Sequence, residues 1–221
     1  MRPPFVKVET IRQYALEVLQ QYENRVGRLE FPLDLADMFD TLFGLSTVYD
    51  DSGRLDRLYG PGVIGCLFPD GHASPWGRDK LIVVNALPQY ASFSASHTIG
   101  HEGGGHYVLH FLQGVGCPQL TKPVYCHEIG ESIRRKDPLE WQADRFASEL
   151  VMPVDQVRRL LDGKEPGEVL NLDLYADNFR RYFGTSRAQM EKRLLDLGYK
   201  LIGAKYPWAN YLKEEVARPL R

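Results

Sequence analysis

The segment His101-Glu102-Gly103-Gly104-Gly105-His106 places two histidines and a glutamate on one predicted helix. A further carboxylate follows on a second predicted helix, in Glu140-Trp141-Gln142-Ala143-Asp144. Two imidazoles and one carboxylate are three ligands that hold a catalytic zinc ion and leave its fourth position open. The two segments therefore predict a metal centre shared by two helices, and this centre decides how the rest of the chain is interpreted.

The spacing of the two histidines differs from the His-Glu-x-x-His pattern of zinc hydrolases, because His101 and His106 are five positions apart. In an α-helix, residues four apart nearly superpose, whereas residues five apart diverge by about 140°. A single π-turn, with roughly 4.4 residues per turn, absorbs the additional residue and returns both side chains to one face. The intervening glycines permit this rearrangement, although each costs about 1 kcal/mol relative to alanine in a helix.

Two other histidines, His97 and His110, lie on the same predicted helix. Each is four positions from one member of the central pair, so His97 with His101 and His106 with His110 are alternative chelating pairs. Neither alternative pair has a glutamate directly after its first histidine, and the carboxylate that deprotonates water would be missing. We interpret His97 as a cleft residue. We interpret His110 as a packing or capping residue at the helix end, with the cleft as its other candidate location.

The composition is that of an ordinary globular protein without an excess of basic residues. The chain has 221 residues with 27 Lys and Arg against 29 Asp and Glu, a net charge of -2, which argues against nonspecific binding to nucleic acid or anionic membranes. No apolar run is long enough for a membrane span, and the N-terminus does not resemble a signal peptide. The three cysteines form no Cys-x-x-Cys pair and indicate free thiols. We therefore predict a cytoplasmic protein with no membrane partner.

Hydrophobic periodicity predicts helices, then a small sheet, then more helices. This order is typical of the α+β class, with a small twisted sheet packed against helices. We place one domain at residues 1–160 and a helical C-terminal region, similar to a helix-turn-helix, at 161–221. The predicted strands are 45–49, 63–68 and 80–85, and the predicted helices are 11–22, 34–43, 92–113, 138–151, 154–161, 172–182 and 186–197.

The C-terminal region has the features of a helical hairpin with some positive charge. Ser186 and Gln189 have the spacing of a capping box at the start of its second helix. Arg187, Lys192 and Arg193 add cations to that helix. Helical hairpins with a few surface cations are common, and the chain has no basic surplus. We therefore do not expect direct binding to nucleic acid.

Two segments resemble the signatures of the ImmA/IrrE family of zinc metallopeptidases. Residues 96–110, SHTIGHEGGGHYVLH, are similar to the family core R-F-T-x-A-H-E-x-G-H-x-L-L-H. Residues 140–153, EWQADRFASELVMP, are similar to the second signature, E-x-x-A-N-x-F-A-x-x-L-L-M-P. The resemblance covers about residues 8–160. The chain departs from the family at three points: the additional glycine, His97 in place of an aromatic residue, and Gly100 in place of alanine.

The resemblance implies a metallopeptidase core of the metzincin or gluzincin type and a role for each matching residue. His101, His106 and Glu140 would be the zinc ligands, and Glu102 would be the general base. Asp144 would orient a ligating histidine through the free N–H of its ring. Two other interpretations remain open. Glu140 could be an acid that complements the helix dipole, and Asp144 could be an exposed helix residue.

Two functional hypotheses of different classes follow. By the resemblance, the chain is a zinc endopeptidase that cleaves a helix-turn-helix transcriptional repressor and thereby regulates gene expression. In the alternative, the chain is a catalytically inactive protein of the metallopeptidase fold that acts as a regulatory partner-binding module. The two hypotheses differ in whether His101, His106 and Glu140 meet around one ion.

Overall fold

A computed structural model describes residues 6–71, 74–91, 94–115 and 138–204, together with the backbone of 124–127. The chain divides into two compact units, Met1–Val151 and Met152–Arg221. This division falls before the domain boundary placed at 160/161 from the sequence. Cys66 is a buried free thiol, whereas Cys117 and the side chain of Cys126 lie outside the described residues.

Two helices open the N-terminal unit, as predicted. Helix α1 spans Val8–Val26 and helix α2 spans Leu35–Phe43. Asp34 caps α2 by accepting a hydrogen bond from a backbone N–H of the first turn, and Gly44 ends it in the left-handed conformation. No helix in the described parts of the chain combines the length and apolarity that a bilayer crossing requires. The buried residues of α1 lie on the predicted face: Ile11, Ala15, Val18, Leu19 and Tyr22.

A four-stranded mixed sheet follows these helices. Its strands are β1 (Ser46–Asp50), β2 (Val63–Phe68), β3 (Leu81–Asn85) and β4 (Val124–His127). Their spatial order is β1-β3-β2-β4, in which β1 runs parallel to β3, and β2 runs antiparallel to β3 and β4. All five residues of β3 are buried, as expected for the apolar strand predicted to lie inside the sheet. The α+β class is confirmed.

The sequence did not predict helix α3 (Arg54–Tyr59), which follows the turn after β1. The buried carboxylate of Asp50 accepts hydrogen bonds from the backbone N–H of Leu55 at 2.6 Å and from Ser52 at 3.2 Å. Gly53 adopts a left-handed conformation just before the helix, with φ of 70°. The start of this short helix is stabilised by the carboxylate of Asp50, which lies outside the helix. The periodicity of residues within the helix therefore does not predict it.

The segment that carries the two histidines is a π-helix over most of its length. Helix α4 (Ala95–Ile99) runs without a break in the backbone into the π-helix Gly100–Leu112, because Gly100 keeps right-handed helical angles. At the C-terminal end, the N–H of Gln113 donates to the carbonyl of Val108, five positions earlier. The sequence predicted one π-turn between the histidines, whereas the structure has 13 residues in this conformation.

Helix α5 (Pro138–Val151) packs closely on the glycine-rich face of the π-helix. A Cβ atom added to Gly105 would overlap the Cα and Cβ atoms of Ala143. A Cβ atom on Gly104 would lie 2.5 Å from Cδ1 of Phe146. The glycines are therefore required for the approach of α5, which is a second reason for their presence besides their tolerance of π-helical geometry.

The described part of the C-terminal unit, residues 152–204, combines three helices with a small parallel sheet. The helices are α6 (Val154–Leu160), α7 (Leu172–Phe183) and α8 (Arg187–Asp196). Strands β5 (Val169–Asn171) and β6 (Lys200–Ile202) pair in parallel. The sequence did not predict these strands, because three residues are too few to show a period of two.

Helix α8 begins with the predicted capping box, but two of its three cations are neutralised or buried. Arg187 pairs with Asp173 at 2.7 Å and with Glu191 at 3.1 Å. The side chain of Arg193 is buried and its Nε donates to the carbonyl of Met152 at 2.9 Å. The positive face predicted for this helix is accordingly smaller than its sequence indicated.

Substitution of Gly105 by alanine should destabilise the protein. Helix propensity alone favours alanine by about 1 kcal/mol. The new methyl group would however overlap the backbone of Ala143, and overpacking of this kind costs roughly 1–3 kcal/mol or more. Urea unfolding measures the change in the free energy of unfolding for Gly105→Ala and for Gly104→Ala. We expect the larger loss for Gly105→Ala, because the ring of Phe146 can turn away from Gly104 whereas a helix backbone cannot. A gain in stability in Gly105→Ala would contradict the close packing.

Candidate metal centre

Three side chains converge from the two packed helices. The Nε2 atoms of His101 and His106 are 3.0 Å apart, and oxygens of Glu140 lie 3.1 Å from Nε2 of His101 and 3.3 Å from Nε2 of His106. Tetrahedral zinc with bonds of about 2.0–2.1 Å requires ligand atoms roughly 3.3 Å from each other. His101, His106 and Glu140 therefore lie close enough together to hold a metal ion.

The π-helix explains how histidines five positions apart share a face. At roughly 4.4 residues per turn, His101 and His106 diverge by about 50° around the axis, compared with about 140° in an α-helix. Glu140 comes from the first turn of α5, where a negative charge also complements the helix dipole. The two interpretations of Glu140 are thus compatible, because its carboxylate occupies the helix terminus and contacts both imidazoles.

The electrostatic environment keeps Glu140 ionised. Burial raises the pKa of this carboxyl, but hydrogen bonds from His101 and His106 and the positive charge of the two rings lower it further. The net result is a pKa well below the usual range. A bound cation would replace the protons that are held between these atoms. The cluster therefore offers a carboxylate charge and two imidazole nitrogens to a cation once the rings have lost their Nε2 protons.

Asp144 lies one turn after Glu140 and holds the far side of the first histidine. Its Oδ1 is 2.9 Å from Nδ1 of His101 and accepts the hydrogen bond from that ring N–H. This partner fixes the tautomer and leaves the Nε2 lone pair of His101 directed at the cluster. Asp144 is 6% exposed, so it is not the surface residue that the other interpretation described.

A second hydrogen-bonded chain holds the other histidine. Nε2 of His110 is 3.1 Å from Oε1 of Gln142, and Nδ1 of His110 is 3.1 Å from Nδ1 of His106. Burial lowers the pKa of His110 to about 3, so the ring is neutral and carries one N–H. That N–H donates to Gln142, and Nδ1 of His110 accepts the N–H of His106. The Nε2 lone pair of His106 is thereby left for a metal.

The structure places the two remaining histidines differently from each other. His110 is fully buried behind His106, which fits the packing position that was one of the two considered for it. His97 is half-buried on α4 and does not belong to the three-residue cluster.

Gln142 was not predicted, because its contact with His110 joins residues of different helices. The available signal was its position between Glu140 and Asp144, on the helix expected to supply the third ligand.

Glu102 lies beside the cluster and is fully buried. Neither of its carboxylate oxygens has a hydrogen-bond partner in the described parts of the chain. Burial raises its pKa to about 8, an effect that His101 partly opposes and Glu140 increases. A buried carboxyl with no protein partner is costly unless a water, ion or substrate group satisfies it. Together with two imidazoles and a carboxylate, this orphaned group fits a zinc site of the hydrolytic kind.

Comparisons with known proteins give little beyond this geometry. No family model matches the sequence, and no curated protein matches it. Among solved structures, a Mycobacterium tuberculosis transcriptional regulator is similar with a TM-score of 0.44 and 15% sequence identity. The similarity covers 86% of this chain and 52% of that one. The chain thus spans about half the length of that regulator, and similarity at this level assigns neither a fold nor a function.

Replacing Gln142 by leucine should weaken zinc binding by about 10- to 100-fold, as loss of such outer hydrogen bonds typically does. Leucine cannot accept the N–H of His110, so that ring loses the partner that fixes its tautomer and, through it, the tautomer of His106. Gln142→Glu is the matched control, because a carboxylate oxygen still accepts this hydrogen bond. Competition with a chromophoric chelator measures both affinities. Equal zinc affinity in Gln142→Leu and the wild type would show that the chain of hydrogen bonds does not matter for metal binding.

Proposed function

We propose that the chain is a zinc-dependent endopeptidase. The observation that carries this proposal is the convergence of His101, His106 and Glu140, with the orphaned carboxylate of Glu102 beside them. Three protein ligands and an adjacent carboxylate are the arrangement that hydrolytic zinc sites use. The extended His-Glu-x-x-x-His spacing does not oppose this function, because the π-helix directs both histidines to one point.

The resemblance to the ImmA/IrrE family supports the same reaction and supplies the substrate class. In this proposal the N-terminal unit is a metallopeptidase core, and the substrate is a helix-turn-helix transcriptional repressor. Cleavage of such a repressor would release the genes that it controls. The cytoplasmic location predicted from the sequence is compatible with that substrate.

Each residue has a defined chemical task in peptide hydrolysis. A bound zinc ion would supply Lewis acidity that polarises the scissile carbonyl and makes water acidic. His101, His106 and Glu140 would hold the ion, while Asp144 and His110 keep the two rings oriented. Glu102 would accept a proton from the attacking water, whose oxygen forms the new bond to the carbonyl carbon. Glu102 would then deliver that proton to the leaving amine as the C–N bond breaks.

Metal content tests the site directly. We expect close to one zinc per chain in the purified wild type by elemental analysis, and loss of most of that zinc in His106→Ala. The imidazole of His106 is one of the three proposed protein ligands, so the remaining two should not retain the ion through gel filtration. Lys192→Ala, in the C-terminal unit, is a control that should keep its zinc. A wild-type chain that takes up no zinc after loading would favour the alternative, an inactive partner-binding module.

Catalysis is tested separately by Glu102→Gln. Glutamine preserves the shape of the side chain but cannot accept the proton of water. We therefore expect unchanged zinc content and a loss of about 10²- to 10⁴-fold in the rate of cleavage of a quenched fluorescent peptide library. The same library with the wild type defines the reference rate. Zinc bound by a wild-type chain that cleaves nothing in the library or in candidate repressors would again favour the partner-binding module.

A further inference from the structure

A cavity of about 140 Å³ lies between the sheet and helix α4. Tyr49 and Val84 form its floor at one end of the sheet, and Ala95 and Thr98 form the wall contributed by α4. Tyr49 is 53% exposed, so the cavity reaches the surface on that side. The other apolar side chains of the lining are those of Ile64, Ala86, Leu87 and Ala91.

Three of the polar side chains around this cavity donate hydrogen bonds to groups outside its lining. Asn85 and Tyr90 both donate hydrogen bonds to Asp56, at 2.7 Å and 3.2 Å. The hydroxyl of Thr98 donates to the carbonyl of Ser94 at 3.3 Å. Methyl groups and ring faces therefore form most of the surface that meets a ligand. A charged or strongly polar group placed there would lose its hydration without gaining partners, which selects for an apolar ligand.

The size of the cavity restricts the ligand to one side chain. Drug-sized ligands occupy pockets of roughly 300–1,000 Å³, which is more than this cavity provides. An apolar cavity of about 150 Å³ holds a benzene molecule in another protein. The space at α4 therefore fits one leucine or phenylalanine side chain, and the rest of a peptide would stay outside.

The pairing of the strands places this cavity next to Glu102. Tyr49 lies opposite Val84, and Val84 lies opposite Gly65, so the three residues form one row across the sheet. A Cβ atom on Gly65 would lie 3.4 Å from Oε1 of Glu102 and would overlap the methyl group of Thr98. Neighbouring strands are about 4.8 Å apart. The cavity is thus one strand away from the carboxylate, with Thr98 as the wall between them.

We propose that this cavity is a specificity pocket that binds one leucine- or phenylalanine-sized side chain of a peptide whose backbone passes Glu102. The inference rests on the proposed endopeptidase function and names the substrate class for it: peptides with a medium-sized apolar residue close to the scissile bond. Gly65 has a part in this recognition, because a side chain there would collide with Thr98 and push against Glu102.

Binding to the pocket can be measured without catalysis. The probe is N-acetyl-L-leucine methylamide, added to the full chain with and without zinc, and its glycine analogue is the matched control ligand. We expect saturable shifts of the methyl NMR signals of Ile64 and Val84 with the leucine compound and none with the glycine compound. Equal shifts with both compounds, or none with either, would overturn the proposal.

A substitution that fills the pocket with a larger side chain tests the proposal by mutation. Ala95→Leu adds three carbons to the side chain that faces the cavity and should reduce binding of the leucine probe at least tenfold, with unchanged zinc content as the sign of an intact N-terminal unit. Ala176→Leu makes the same change on α7 of the C-terminal unit and should bind the probe like the wild type. Undiminished binding in Ala95→Leu would mean that the probe sits elsewhere, and the pocket would be rejected.

Peptide cleavage separates this proposal from the endopeptidase function on which it rests. In the quenched peptide library, leucine or phenylalanine near the scissile bond should raise kcat/KM over glycine by about 10- to 100-fold. Ala95→Leu should remove most of this preference while glycine peptides are still cleaved. Cleavage with no such preference would reject the pocket and leave the endopeptidase intact. Leucine binding without any cleavage would support the pocket and reject the endopeptidase.

Discussion

The close approach of helix α5 to the glycine-rich face of the π-helix is the contact on which the candidate site depends. No side chain separates the two backbones where Gly105 meets Ala143. Because the helices touch there, Glu140 in the first turn of α5 reaches the Nε2 atoms of both histidines. A larger residue in place of Gly105 would move the third ligand away from the other two. The glycines thus weaken the helix locally and make the metal centre geometrically possible.

The same helix also orients the ligands that it does not supply. Asp144 holds His101 directly, while Gln142 holds His106 through His110. Both chains of hydrogen bonds end by keeping a proton on Nδ1, so that Nε2 is the ring nitrogen directed at the cluster. One short helix therefore contributes a ligand and two orienting groups, and its position determines the whole arrangement.

The site contains buried ionisable groups that do not help the fold. Glu102 is fully buried and its carboxylate has no hydrogen-bond partner among the described residues, and Glu140 is largely buried beside two imidazoles. Groups of this kind oppose folding unless a ligand or ion compensates them, and they are typical of functional sites. The sheet accommodates this arrangement by placing Gly65 opposite Glu102 and a small apolar cavity one strand further along.

The sequence by itself determined the α+β class, the buried central strand, most helices and the three residues that cluster, because periodicity, caps and ligand types are local properties. It also indicated that His101 and His106 require π-helical geometry to share a face. Only the tertiary structure decided that this geometry extends over 13 residues, that His110 is buried and that Gln142 is its partner. These features arise from the packing of α5 on the π-helix, a contact between distant segments that no spacing within either segment encodes.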